Sequence, residues 1–144
     1  RLWHVDVDNV THLNNAKPRQ ISNHTSWVNQ VEFSPNGRYL ASASHDTTIH
    51  LWDTQQQQTV AILSGHTESV VAIAFSPDGS LLASASKDKT LCVWDVHKQR
   101  RLISLQDDEW VNCVAFSPNG RYLASGNGRG LIRIWGIDLE IVRR

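Results

Sequence analysis

The chain has no methionine, two cysteines and four prolines in 144 residues, and its charges cancel, with 14 Lys plus Arg against 14 Asp plus Glu. Each shortage removes a class of protein. Cys92 and Cys113 are too few for a disulfide-stapled secreted scaffold and lack the Cys-X-X-Cys spacing of a zinc site. Balanced charge leaves no overall field to draw in nucleic acid or an anionic membrane, so neither is expected as a partner. No run approaches the roughly 20 apolar residues of a membrane span, and no signal peptide opens the chain, which predicts a cytoplasmic protein. The missing methionine and the large Arg1 at the start give the expectation of a segment from a longer polypeptide. With 40% apolar and 19% charged residues, the composition is that of a globular core and not of a disordered chain.

What the chain does have is a period. Ser34-Pro35-Asn36-Gly37 returns as Ser76-Pro77-Asp78-Gly79 and as Ser117-Pro118-Asn119-Gly120, while Trp52, Trp94 and Trp135 follow 42 and then 41 residues apart. Laid on each other, Ser22 to Asp53 and Ser64 to Asp95 agree at 17 of 32 positions. Such a period signals stacked units that share a continuous core. In the first unit, apolar alternation predicts strands at Trp27 to Phe33, Arg38 to Ser44, Thr48 to Trp52 and Thr59 to Leu63. The Ser-Pro-Asn-Gly turn supplies a fixed φ at proline and a positive one at glycine. In the third strands Ile49 and Leu51, Leu91 and Val93, and Ile132 and Ile134 share one face, with the tryptophans on the other. Both faces are apolar, so each small sheet needs cover on both sides.

The Gly65-His66 pair, the Ser-Pro-Asn/Asp-Gly turns, the Leu-Ala-Ser strands and the Trp52-Asp53 and Trp94-Asp95 dipeptides resemble WD40 repeats, over about residues 22 to 144. The resemblance implies an all-β propeller built of four-stranded antiparallel blades. On that reading the chain is an arc of three complete blades, at 22–64, 65–105 and 106–144, and residues 1–21 are the remnant of a preceding blade plus a long connection. A ring needs about four blades to close. The remaining blades of a larger propeller, or further copies of the chain, are therefore expected to cover the two end faces.

Ser, His and Asp recur with Trp as His24, Ser42, Asp46 and Trp52, and again as His66, Ser84, Asp88 and Trp94. These are the parts of a nucleophilic triad, so a serine hydrolase, or an active site completed by missing blades, is the enzyme alternative. The set occurs once per repeat, however, in plain strands without a nucleophile elbow or an oxyanion loop. The resemblance implies a structural tetrad instead, in which Trp N–H donates to Ser, Ser to His and His to Asp. No catalytic residue, metal site or cofactor is expected. The third repeat puts Asp107 in place of the histidine and Arg129 in place of the turn aspartate. That predicts a broken tetrad, a looser turn at Gly126 to Gly130, and an Asp107 to Arg129 ion pair on the rim.

The tetrad joins the histidine-bearing connection to the His45-Asp46 type of turn, so both lie at one end of the sheets, the usual recognition face of the family resembled. Trp27, Ser69 and Trp110 open the first strands there, and His45, Lys87 and Arg129 occupy the turn tips. Tryptophan beside basic groups suits a partner-binding rim; the alternative is that Trp27 and Trp110 only cap the core between blades. The expected function is a non-catalytic scaffold for a protein or peptide partner. The regular wording of the repeats resembles bacterial WD40 proteins, which implies the sensor or regulatory part of a larger protein such as an NTPase switch.

Overall fold

The computed structural model describes residues 18–21, 23–138 and 140. Its strands are β1 (Val28–Phe33), β2 (Tyr39–Ser44), β3 (Ile49–Asp53), β4 (Gln58–Leu63), β5 (Val70–Phe75), β6 (Leu81–Ser86), β7 (Thr90–Asp95), β8 (Arg100–Gln106), β9 (Val111–Phe116), β10 (Tyr122–Asn127) and β11 (Ile132–Gly136). They form three antiparallel sheets in sequence order, β1 to β4, β5 to β8 and β9 to β11. This is the open all-β arc that the repeats predict. The fourth strand of the last blade, placed by the offset of β4 from Trp52, falls beyond residue 140 and so outside the described residues. So does Leu2-Trp3 of the expected preceding blade.

Each hairpin is fixed locally. In the Ser34 to Gly37 turn the Ser34 hydroxyl donates to Asn36 Oδ1 at 2.7 Å and accepts from Tyr39 N at 2.9 Å. Gly37, Gly79 and Gly120 all lie near φ 70° (70, 73 and 71°), a region that costs a residue with a Cβ about 1–2 kcal/mol. At the other end of the sheets Thr47, Lys89 and Gly130 take φ of 77, 69 and 81° in the β2–β3, β6–β7 and β10–β11 turns.

Period-two alternation gives every sheet a front face carrying the tryptophan and a rear face. The rear of the first sheet, with Ala41, Ala43, Ile49 and Leu51, packs on the front of the second through Val70, Ile73 and Phe75. The rear of the second, with Ala83, Ala85, Leu91 and Val93, packs on Val111 and Leu123 of the third. Alanines in the central strands let the sheets approach closely at native packing density. Among the described residues, the expectation of sheets covered on both faces is met in full by the middle one.

The first joint is also keyed by polar groups. A register shift between Val28 and Gln30 turns Asn29 out of the ladder. Its amide then donates to Ser69 Oγ at 3.0 Å and to the Val70 carbonyl at 2.8 Å. Gln30 exchanges bonds with the N–H and C=O of Ile73 at 2.9 and 3.0 Å, and Glu32 Oε1 accepts from Phe75 N at 3.2 Å. The inner edge of β5, which would otherwise present unpaired backbone groups, is satisfied by its neighbour. Among the described residues no helix is long and apolar enough to cross a membrane.

Candidate functional site

The second blade holds a complete polar chain. Trp94 Nε1 donates to Ser84 Oγ at 2.8 Å, Ser84 Oγ lies 2.7 Å from His66 Nε2, and His66 Nδ1 lies 2.8 Å from Asp88 Oδ2. An indole can only donate and a carboxylate can only accept. With a neutral imidazole, one set of proton positions satisfies every member: Ser84 donates to Nε2, and Nδ1–H donates to Asp88. Asp88 also accepts from Thr90 N and Oγ1 at 2.8 and 2.6 Å and from Thr67 N at 3.1 Å. Burial opposes its ionisation, but the bonds from Thr90 and His66 outweigh burial and hold the carboxyl below the usual range. Burial likewise disfavours the charged form of His66, while Cys92 and Asp88 beside it prevail and raise its pKa.

The first blade repeats only two of the three links. His24 lies 2.8 Å from Ser42 Oγ and 2.9 Å from Asp46 Oδ2, and Asp46 takes bonds from Thr48 and Thr25 as Asp88 does from Thr90 and Thr67. Asp46 is driven well below the usual carboxylate range, because these bonds overcome the opposing effect of burial. Among the described residues, however, Trp52 is not bonded to Ser42, so the expected indole link is absent. His50 is stacked on His24, with ring centroids 3.6 Å apart. Burial and the neighbouring His24 lower the His50 pKa.

The tetrad of the third blade is broken as expected, but Asp107 anchors a different network. Asp107 is buried and accepts from Asp108 N at 2.7 Å, Asn127 Nδ2 at 3.0 Å and Arg133 Nε at 3.0 Å, and Trp135 Nε1 donates to Ser125 Oγ at 3.0 Å. The expected Asp107 to Arg129 pair does not form. Arg129 Nε lies 3.5 Å from Glu109 and its Nη1 3.9 Å from Asp108, on the exposed rim. Arg133 had no expected role, and neither had His50 and Cys92 at the matching positions. The signal was in the alternation, since each sits two residues before its tryptophan and so on the same face. Asp53 was also passed over; it is buried and receives Arg38 Nε and Nη2, both at 3.2 Å.

The surroundings of the two serines differ from those of a hydrolase nucleophile. Ser42 and Ser84 lie in central strands whose backbone is paired on both sides, Ser42 with Val31 and His50, and Ser84 with Ile73 and Cys92. Among the described residues, that ladder engages the strand N–H groups around the two hydroxyls, whereas an oxyanion hole needs donors aimed at the reacting atom. Ser84 is fully buried. Ser42 borders a cavity of about 270 Å³ with Val31 and Trp52 on the open front face. His24, Asp46 and His50 bring ligand atoms within 4.8 Å of one another. His24 already has one ring nitrogen on Ser42 and the other on Asp46, so an ion here would have to displace one of those bonds.

The rim residues gather at one end. His45 N donates to the Trp27 carbonyl at 2.8 Å, Lys87 N to that of Ser69 at 3.0 Å and Gly128 N to that of Trp110 at 2.9 Å, so each turn is tied to the start of its own first strand. Trp27 is 80% exposed with the His45 ring 6.0 Å away, and Trp110 is 49% exposed with Lys87 Nζ 5.3 Å above its ring. Ser69 does not belong with them. It is buried, and its hydroxyl is taken by Asn29, which corrects its assignment to the binding surface.

The family described as WD domain, G-beta repeat matches residues 16–53, 57–95 and 99–136. The chain belongs to the WD40 repeat family. The second match runs from the start of β4 to the end of β7, so one sequence repeat joins the outer strand of one sheet to three strands of the next. Among curated relatives, apoptotic protease-activating factor 1 of Danio rerio is 41% identical over 58 residues, covering 40% of this chain and 5% of that protein. Protein HIR1 of Chaetomium globosum is 41% identical over 56 residues, 36% of this chain and 5% of the relative. Ribosome assembly protein 4 of Saccharomyces cerevisiae is 50% identical over 42 residues, 28% of this chain and 8% of the relative. The chain thus spans less than a tenth of the length of these relatives.

Proposed function

We propose that this chain is a non-catalytic WD40 scaffold that recognises a protein or peptide through the rim formed by Trp27, His45, Lys87, Trp110 and Arg129. The observation that carries the reading is the exposure of Trp27 and Trp110 at the same end of the sheets, each beside a basic or imidazole group. Large rigid aromatics and arginine dominate interface energetics. The family and the relatives, which include an assembly protein, support an interaction role. The finer reading is a sensor or regulatory part of a larger cytoplasmic protein. The NTPase-switch setting rests on the wording of the repeats, and the relatives named above are eukaryotic. A phosphate-binding loop encoded upstream would support that setting, and a different neighbouring domain would remove it.

A displayed random-peptide library tests the rim. Peptides selected on the chain should lose at least about tenfold in affinity with Trp27→Ala or Trp110→Ala and remain unaffected by Asn36→Ala or Arg121→Ala at the opposite end. Selected peptides that respond to the opposite end, or to neither, would refute the rim. A fluorophosphonate probe addresses the hydrolase alternative, and covalent labelling of Ser42 would restore it.

A further inference from the structure

Three turns of nearly the same wording differ at one position. Phe33 to Ser42 and Phe116 to Ser125 are identical and place Asn36 and Asn119 before glycine, whereas the second unit has Asp78 before Gly79. The three side chains hold their turns in the same way. Asn36 Oδ1 accepts from Ser34 Oγ at 2.7 Å and Arg38 N at 3.0 Å, and Asn119 Oδ1 from Ser117 Oγ at 2.6 Å and Arg121 N at 2.9 Å. Asp78 Oδ1 accepts from Ser76 Oγ at 2.7 Å and Ser80 N at 3.0 Å. The turn asks only for a side-chain oxygen, which Asn and Asp both supply. Asn36 and Asn119 are exposed to water.

An Asn-Gly pair is open to self-reaction, because glycine has no side chain to hinder its nitrogen. That nitrogen gives its proton to solvent and bonds to the Asn Cγ; the Cγ–Nδ2 bond breaks and ammonia leaves, closing a cyclic imide. Water then opens the imide at one of its two carbonyls, giving aspartate or, with the backbone rerouted through the side chain, isoaspartate. In the closed turn both reacting groups are engaged. Gly37 N donates to the Ser34 carbonyl at 2.8 Å and Gly120 N to that of Ser117 at 2.9 Å, while Ser34 and Ser117 hold the side-chain carbonyls. We infer that Asn36 and Asn119 are deamidation sites guarded by their own turns, converting only when the turn opens and yielding an aspartate that the closed turn accepts. Asp78 shows the bonds that this product would make. Each conversion adds one negative charge to a chain whose charges balance, at the end of the sheets opposite the rim.

Mass spectrometry of the chain aged at mildly alkaline pH tests this, since trypsin places the two sites in separate peptides, 20–38 and 102–121. Unfolded in guanidinium chloride, both asparagines should convert at the same rate, because the residues around them are identical. In the folded chain each should convert at least about tenfold more slowly, the reaction then waiting on local opening. Ser34→Ala removes one bond of the first guard and should speed Asn36 by about two- to tenfold with Asn119 unchanged, and Ser117→Ala should do the reverse. Asn36→Asp, which installs the product directly, should leave the urea midpoint of the chain unchanged. Equal rates in the folded and unfolded chain overturn the inference. So does a lowered midpoint for Asn36→Asp. Serine variants that leave their own asparagine as slow as before, or that speed both alike while far-UV circular dichroism is unchanged, overturn it as well.

Discussion

Trp94→Phe isolates the first link of the polar chain in the second blade. The ring stays aromatic and apolar, but the donor that reaches Ser84 Oγ at 2.8 Å is gone. Ser84 is fully buried, so no water takes the place of the indole. Stranding one lone pair of a buried hydroxyl costs about 1–3 kcal/mol, and the smaller ring adds a cavity cost on the order of 1 kcal/mol. Trp52→Phe is the internal control, since it loses a similar volume but no bond to Ser42. The difference between the two variants should therefore be about 1–3 kcal/mol. Pairing Trp94→Phe with Ser84→Ala in a double-mutant cycle should show a coupling of at least about 0.5 kcal/mol. The assay is urea unfolding at one fixed protein concentration, because association raises apparent stability; a shifted midpoint at constant slope reports a true change in stability. Equal losses for Trp52→Phe and Trp94→Phe, or a coupling of zero, would show that the indole bond adds nothing beyond ring packing.

In the third blade, Asp107→Ala should cost at least about 2 kcal/mol, because it removes a charged acceptor shared by two backbone N–H groups, Asn127 and Arg133. Arg129→Ala, on exposed pairs, should cost under about 1 kcal/mol, and comparable losses in denaturation would return Arg129 to the network. Thr47→Gly should stabilise by roughly 0.5–1 kcal/mol, since a β-branched residue at φ 77° is relieved at the cost of some unfolded-state entropy; a lower urea midpoint would contradict this. The pH profile should have two opposed parts. The carboxyls of Asp46 and Asp88 are depressed from 3.8, so their contribution is whole above that pH and is lost as pH falls through the lowered values. His66 is raised from 6.5, so its contribution is full below pH 6.5 and declines as pH rises through the raised value. Urea midpoints across pH should therefore show a weaker acid fall in Asp88→Asn, and an unchanged acid limb would sink the assignment.

Much of this architecture is written in short-range signals. Turn glycines, proline and period-two alternation located the strands of the first blade within a residue at each end, because each depends on local steric rules. Two apolar faces per sheet were enough to require stacking. The side chains were harder to place. Ser69 aligns with Trp27 and Trp110 and was grouped with them, but its exposure is decided by Asn29 from the preceding sheet, and that contact depends on a register shift no local pattern announces. Asp107 and Arg129 looked like a lost histidine and a lost aspartate. The replacement came from Arg133 on the neighbouring strand, so the substitution became legible only once β10 and β11 were paired.

The hydrogen bonds from Asn29, Gln30 and Glu32 also bear on the order in which such similar units assemble. Repeats that agree at half their positions can dock with the wrong neighbour during folding, exchanging one hairpin for another at little cost. The positions of Val71, Ala72 and Ala74 in the second unit match those three residues, and none of them can reach across to a backbone amide. The bonds that cap β5 therefore come from the first unit and could not come from the second. A chain that skipped or transposed a unit would leave that strand edge bare, so three polar side chains act as an address label that sorts near-identical neighbours into their native sequence.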